Sequence, residues 1–238
     1  MKLAIISDIH ANLHALQAVW DDVKAQGPEA VYCLGDLVGY GAHPNETIEF
    51  IRERQIPTIM GNYDEGVGYE KGDCGCAYVT EEEKQDGKKS IDWTTDQVTP
   101  QNKRYLRNLQ EKIEFTVNGY KILLVHGSPR RINEYLYEDR PERSLTRMLE
   151  SIDANIMICG HTHNPYHRIV NGVHIINDGS VGKPKDGDPR ACYASIELGE
   201  TVKVDFRRIE YPISPVADEI MKVGLPRAFA DALLTAGK

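Results

Sequence analysis

Short apolar runs alternate with amphipathic stretches over the first 60 residues, and this pattern predicts an α/β fold. Residues 2–7, 30–34 and 56–60 are short and apolar, as expected for buried strands. Between them, apolar residues recur at helical spacing from residue 12 to 26 and from residue 44 to about 54. Alternation of this kind is typical of a parallel sheet with helical crossovers.

Hairpins are predicted in the second half of the chain. Asn118-Gly119 separates the apolar runs 113–117 and 120–125, and Asn171-Gly172 separates 166–170 from 173–177. The Asn-Gly dipeptide favours a tight type I′ turn. Further strands are predicted at 155–159, 192–198 and 202–209, and helices at 100–109, 141–152 and 214–236, the last with a break near 224–226.

One segment, from residue 65 to about 99, interrupts this succession of predicted strands and helices. It is rich in Gly, Asp, Glu and Lys and has little apolar periodicity before Ser90, so we predict a surface insertion with one or two short helices. No linker or internal repeat divides the chain. We therefore predict a single domain, residues 1–238, with two sheets inside and helices outside.

Composition narrows the class of protein. The 238 residues are 41% hydrophobic and 27% charged, with a formal net charge of −8. That charge argues against a stable nucleic-acid partner, which would need clustered Lys and Arg. No apolar run predicts a membrane span, and the first residues do not predict a signal peptide. Five cysteines at scattered spacings predict free thiols and a cytoplasmic location, with Cys74 and Cys76 as ordinary loop thiols.

Metal-ligand residue types follow five of the predicted strands. The two imidazoles of Gly160-His161-Thr162-His163 come directly after a buried strand, where ligands gather in open α/β sheets. The other strand ends carry Asp8, His10, Asp36, Asn62 and His126. Carboxylate, imidazole and amide ligands suit divalent Mn, Fe, Zn or Ni. Seven side chains are more than one ion with an open position usually takes, so two ions that share a carboxylate fit better.

The motifs around these residues resemble those of the calcineurin-like metallophosphoesterases, most closely the small bacterial and archaeal branch. In order they are Asp-Ile-His (8–10), Gly-Asp-Leu-Val-Gly-Tyr-Gly (35–41), Gly-Asn-Tyr-Asp (61–64), Val-His-Gly-Ser-Pro (125–129) and Gly-His-Thr-His (160–163). The resemblance implies a four-layer α/β/β/α sandwich of two mixed β-sheets flanked by helices. It also implies a binuclear metal centre. One ion would be held by Asp8, His10, Asp36 and His163, and the other by Asp36, Asn62, His126 and His161.

The activity implied by this resemblance is that of a metal-dependent phosphatase or phosphodiesterase. A metal-bridging hydroxide would attack a small soluble phosphate ester or anhydride, and nucleotides are among the substrates left open. Two divalent ions, two carboxylates and one hydroxide sum to about +1, which attracts phosphate despite the acidic chain. The alternative is a phosphate- or nucleotide-binding protein that keeps the fold with little or no catalysis. Retention of all seven ligands argues against it.

One position departs from the family pattern. The family has a proton-donating histidine after Gly-Asn, where this chain has Tyr63. In the family an acidic residue orients that histidine, and this chain keeps that residue as Asp64. A phenol with an ordinary pKa of about 10 is poorly matched to neutral pH. Tyr63 therefore either protonates the leaving group or only packs beside the metals. His14, one helical turn after His10, is a second candidate donor.

Candidate substrate-binding residues lie near two of the motifs. Arg130 and Arg131 follow the His126 motif and are expected, with Asn62, to bind the phosphate, although an ion-paired or solvated role is equally consistent with the pattern. The remaining histidines, His43, His167 and His174, belong to no motif and are interpreted as structural.

Overall fold

Residues 1–237, which the computed structural model describes, form nine strands and eight helices; residue 238, the last of the predicted domain, lies outside the described residues. The strands are β1 (Lys2–Ile6), β2 (Ala30–Cys33), β3 (Lys112–Val117), β4 (Tyr120–Val125), β5 (Ile156–Cys159), β6 (Tyr166–Val170), β7 (Val173–Asn177), β8 (Ala191–Leu198) and β9 (Val202–Ile209). The helices are α1 (Leu13–Gln26), α2 (Pro44–Glu53), α3 (Asn62–Gly68), α4 (Glu81–Gln97), α5 (Pro100–Arg107), α6 (Glu142–Leu149), α7 (Ile213–Lys222) and α8 (Arg227–Thr235).

Two mixed sheets stack face to face. One has four strands in the order β2-β1-β8-β9, and the other has five in the order β3-β4-β5-β7-β6. β1 pairs with β2 in parallel and with β8 antiparallel, whereas β4, β5 and β7 pair in parallel. With helices on the two outer faces, this is the predicted four-layer α/β/β/α sandwich, and the fold prediction is confirmed.

Alternation along β1 shows how the layers are built. Leu3 and Ile5 belong to the core cluster between the two sheets, while Ala4 and Ile6 belong to the cluster shared with the helices of the first outer layer. Because side chains of a strand point alternately to its two faces, a strand covered on both sides must be apolar throughout. A third cluster packs α6 on the outer face of the second sheet. The buried central strands thus explain the continuous apolar runs.

The predicted turns form where Asn-Gly occurs. Asn118 and Gly119 both have positive φ, 49° and 82°, and so do Asn171 and Gly172, at 51° and 79°. These left-handed conformations match the right-handed twist of the flanking strands. The predicted break in the C-terminal helix is also present, between α7 and α8.

Two predictions about elements were wrong in detail. Residues 56–60 form only isolated bridges, Cys33 with Thr58 and Ile59 with Gln110, rather than a regular strand. Pro57 has no N–H to donate, which limits the pairing of this segment. The 65–99 segment contains one 17-residue helix, α4, rather than only short helices. α4 begins with a capping box between Thr80 and Glu83, and Ser90 and Ile91 on its inner face are buried.

Within the described residues, no helix is long and apolar enough to cross a membrane.

Candidate metal centre

Three predicted ligands form a first cluster at the end of β1. His163 Nε2 lies 3.2 Å from Asp8 Oδ1 and 3.2 Å from His10 Nε2, and His10 Nε2 lies 3.7 Å from the same Asp8 oxygen. All three side chains are buried. Each residue therefore points a ligand atom at one small volume between the carboxyl ends of β1 and β5.

A second cluster combines residues that follow β2, β4 and β5. Asp36, His126 and His161 present ligand atoms within 4.8 Å of one another. His126 Nε2 is 3.0 Å from Asn62 Oδ1, while the Asn62 amide donates to the Cys74 carbonyl over 2.9 Å. That hydrogen bond fixes the amide so that its oxygen faces the cluster.

Asp36 connects the two clusters. Its Oδ2 is 3.7 Å from His10 Nε2 in the first cluster and 3.5 Å from His126 Nε2 in the second. Its other oxygen accepts the Tyr63 backbone N–H at 2.8 Å. A Cβ at Gly61 would collide with the Asp36 carboxylate, so this close approach requires glycine. All seven predicted metal ligands are thus gathered in one buried place.

Backbone carbonyls orient three of the imidazoles. Nδ1 of His10 is 3.0 Å from the Val38 oxygen, Nδ1 of His126 is 2.7 Å from the Leu34 oxygen, and Nδ1 of His163 is 2.5 Å from the Lys183 oxygen. An Nδ1–H that donates to a carbonyl leaves the Nε2 lone pair free for a metal ion. The hydrogen bonds therefore select the tautomer that metal binding needs.

Left-handed backbone is concentrated at these residues. Asp8, His10, Asp36, His161 and His163 have φ between 50° and 65°. Such conformations are uncommon for residues with a Cβ and tend to occur at functional sites, where surrounding structure maintains them. They turn the chain sharply after each strand and direct the side chains inward.

Electrostatics favour neutral ligands at two positions and a cation at a third. Burial lowers the pKa of His10 and of His161 to about 3, so both imidazoles are neutral. Burial also disfavours the charged form of His126, but the Asp36 and Asp8 carboxylates outweigh it and raise its pKa to about 10. A divalent ion in place of that proton would satisfy the same carboxylates.

Two buried polar atoms without hydrogen-bond partners fit a metal centre. Among the described residues, Asp8 Oδ1 and His161 Nε2 are buried without a hydrogen-bond partner. Buried polar atoms are normally paired, and unpaired ones call for an explanation such as an ion. Both atoms are metal-ligand types and both face the clusters, so the residues present suit divalent metal binding.

A supporting pair behind Asp8 was missed by the sequence reasoning. Ser7 Oγ lies 2.6 Å from Asp8 Oδ2 and 2.8 Å from Asp178 Oδ1. Burial and the Asp8 charge raise the pKa of Asp178 well above its ordinary value, and the Ser7 hydroxyl bridges the two carboxyl groups. The sequence signal that could have identified Asp178 is its position as a carboxylate directly after the predicted strand 173–177.

The two predicted catalytic residues occupy different surroundings. Tyr63 is 1% exposed, packs against the rings of His10 and Tyr40, and brings its hydroxyl 3.5 Å from Ser90 Oγ. Asp64 accepts the backbone N–H groups of Asp36, Leu37 and Gly61 and does not hold the Tyr63 side chain. The catalytic assignment of both residues stays a prediction.

The other candidates lie at the edges of the site. Both arginines are exposed, but Arg130 is ion-paired with Glu134, through Nε at 3.1 Å from Oε2, whereas Arg131 makes no ion pair among the described residues. Both line a cavity of about 300 Å³ that also includes His126. His14 is hydrogen-bonded to Glu219 of α7, at 3.1 Å, and to no side chain of the two clusters among the described residues.

A strap formed by residues 73–78, in the predicted insertion, lies against the second cluster. Besides the Asn62–Cys74 bond, Asn133 Nδ2 donates to the Gly75 oxygen at 2.8 Å and Asn62 Nδ2 lies 3.3 Å from Cys76 Sγ. Tyr135 packs its ring 4.2 Å from that of His161. Cys74 and Cys76 are free thiols, as predicted.

Comparison with known proteins identifies the family. Residues 1–201 match the calcineurin-like phosphoesterase superfamily domain, and the chain belongs to this family. It is 33% identical to an uncharacterized protein of Methanocaldococcus jannaschii, over an alignment that covers 97% of this chain and 96% of that protein.

Two solved structures resemble the whole chain. A metallophosphoesterase from Sphaerobacter thermophilus is 32% identical with a TM-score of 0.79, over 100% of this chain and 99% of that one. A hypothetical protein from Pyrococcus horikoshii has a TM-score of 0.85 at 22% identity, over 100% and 98% of the two chains, and shows the shared fold.

Proposed function

We propose that the chain is a phosphoric ester hydrolase that holds two divalent ions and acts on a small phosphorylated substrate. The observation that carries this proposal is the position of Asp36 Oδ2, 3.7 Å from one cluster at His10 and 3.5 Å from the other at His126. A carboxylate so placed can serve two ions at once. When bound, such ions activate water and offset negative charge on a phosphoryl group.

The chain's own residues would prepare the site for this chemistry. The seven ligands are at most 3% exposed, so bulk water is excluded and electrostatic interactions act in a low-dielectric environment. Imidazole, carboxylate and amide donors suit Mn, Fe, Zn or Ni. Hydrogen bonds that the imidazoles donate to backbone carbonyls hold them ready to bind, as a positioned metal site requires.

The substrate we propose is small, and a nucleotide is one such molecule. The cavity of about 300 Å³ beside His126 is at the lower end of the range for small-molecule sites, and Arg131 adds positive charge to it. The net charge of −8 supports the absence of a stable nucleic-acid partner, and five free thiols support a cytoplasmic location.

Metal content and hydrolysis measured together test the proposal. Wild-type protein should hydrolyse an aryl phosphate faster with added manganese, and Asp36→Asn should lose metal and activity together. The control is Asp205→Asn, an exposed aspartate of β9. Full metal content and activity in Asp36→Asn would contradict the assignment.

A panel of phosphomonoesters, cyclic and linear phosphodiesters and dinucleoside polyphosphates then identifies the substrate class. Metal binding without any hydrolysis would favour a phosphate- or nucleotide-binding protein.

A further inference from the structure

A second group of metal-ligand side chains lies outside this centre. His14 of α1, His43 before α2 and Glu219 of α7 bring one ligand atom each within 4.8 Å of the others. His14 Nε2 is 3.1 Å and His43 Nε2 is 3.0 Å from Glu219 Oε2. Two imidazoles thus converge on one carboxylate from parts of the chain that are 205 and 176 positions away from it.

We propose that His14, His43 and Glu219 form an additional site for a divalent transition metal ion, with zinc as the expected occupant. Two histidines and one glutamate are a ligand set that zinc takes in proteins, and imidazole selects against magnesium and calcium. Tetrahedral zinc with bonds of about 2.0–2.1 Å keeps its ligand atoms about 3.3 Å apart. The two separations from Glu219 are 3.1 and 3.0 Å, close to that value, and all three ligand atoms lie within 4.8 Å of one another. Zinc would replace the protons that the two Nε2 atoms share with Glu219.

The surroundings allow an ion to enter. The three side chains are 28–34% exposed, which gives zinc access from solvent and leaves room for water as a fourth ligand. Burial raises the pKa of Glu219, but hydrogen bonds from His43 and His14 outweigh it and bring the pKa below its ordinary value. The carboxylate is therefore charged at neutral pH, as a ligand must be.

The position of Glu219 gives such an ion a structural consequence. α7 and α8 pack together, and Phe229 of α8 lies edge-on to Tyr40 with ring centroids 4.9 Å apart. Tyr40 in turn contacts the His10 ring at 4.9 Å. An ion held by α1, α7 and the residue before α2 would link the C-terminal helix pair to the aromatic side chains that pack against His10.

Zinc stoichiometry tests the proposal. Protein equilibrated with zinc and separated from free metal is analysed by mass spectrometry for the elements, in wild type, Glu219→Gln and His43→Ala. We expect about one zinc fewer per chain in both variants. Glu219→Gln keeps an oxygen that accepts the histidine N–H groups, so its fold should be retained. Asp218→Asn, an exposed neighbour on the same helix, is the matched control and should keep the wild-type zinc content.

The Asp36→Asn background separates this site from the catalytic centre. With catalytic metal binding impaired, zinc at about 100 times its Kd should still raise Tm by roughly 5–10 °C. Adding Glu219→Gln or His43→Ala should abolish that rise. Equal zinc content in all variants, or a Tm rise that survives these substitutions, would overturn the additional site whatever the fate of the proposed hydrolase activity.

Discussion

The backbone N–H of Asp36 donates to Asp64 Oδ2 over 2.8 Å, which ties the turn after β2 to the first turn of α3. The same carboxylate accepts the Leu37 N–H at 2.9 Å and the Gly61 N–H at 3.0 Å. We expect Asp64→Asn to weaken metal binding about 10–100-fold, because an NH₂ group would face a backbone donor and displace the Asp36 turn. Competition with a chelator of known affinity measures the change.

The control for this substitution is Asp96→Asn, at an exposed position of α4. It should leave metal affinity unchanged. If Asp64→Asn binds metal as tightly as wild type while folded, the hydrogen bonds to Asp64 do not position the Asp36 ligand.

Leaving-group dependence should be steep in the wild type. Burial and the neighbouring Tyr40 and Cys74 raise the pKa of Tyr63 well above its ordinary value, so its phenol is a weaker acid than in water. Good acid catalysis is worth about 10²–10⁴ in rate, and its absence affects alkoxide leaving groups most. We expect aryl phosphates and phosphoanhydrides to be favoured over alkyl esters. The measurement is kcat/KM at fixed pH across leaving groups of graded pKa, in wild type and in Tyr63→His, where the slope should flatten.

Further variants identify any proton donor. A shallow slope in the wild type would mean that a donor is present. Tyr63→Phe then tests the phenol, and His14→Ala tests a histidine that the structure pairs with Glu219. Lys183 is a third candidate, since burial and nearby Lys185 lower its pKa to about 7 and its ammonium lies 4.6 Å from the Tyr40 ring centroid. Lys183→Met tests it.

The strap should influence substrate choice. It borders a cavity of about 830 Å³ whose lining includes Tyr78, Lys84 and Lys88, groups able to contact the part of a substrate remote from its phosphate. We expect Gly/Ser replacement of residues 73, 77 and 78 of the strap, together with the flanking residues 70–72 and 79, to change relative rates within the substrate panel. Residues 74–76 are kept because the Cys74 carbonyl holds Asn62. Metal content should stay at the wild-type level. An unchanged substrate profile in a folded variant would show that the segment does not select the substrate.

Arg130 and Arg131 should differ in their effects on substrate binding. Arg130 is engaged with Glu134, whereas Arg131 makes no ion pair among the described residues. We expect Arg131→Ala to raise KM about tenfold with little change in kcat, as the loss of one charge-assisted hydrogen bond to phosphate predicts. Arg130→Ala should have a smaller effect, and Arg131→Lys an intermediate one because it keeps the charge without the bidentate geometry. Equal KM values for Arg131→Ala and wild type would exclude a role in phosphate binding.

Local sequence patterns were sufficient to predict the hairpin turns and the positions of the candidate metal ligands. The Asn118-Gly119 and Asn171-Gly172 turns form as expected, since the dipeptide meets the φ requirement within two residues. The candidate ligand residues could be located because they follow apolar runs, and parallel strands bring their carboxyl ends to one edge of a sheet. The pattern of elements indicated two sheets inside and helices outside, and the resemblance of five motifs to one family supplied the four-layer arrangement.

Contacts between distant segments depended on the tertiary structure. Ser7 and Asp178 are 171 positions apart, and no local pattern shows that one donates to the other. His43 and Glu219 likewise meet only because α7 packs beside the segment before α2, and the sequence alone therefore gives His43 no partner and predicts a structural role for it. Residues 56–60 illustrate the same limit for secondary structure, since an apolar run becomes a strand only where a neighbour can complete its hydrogen bonds. Periodicity reports which faces are buried, whereas side-chain pairing depends on how the packed layers bring separate segments together.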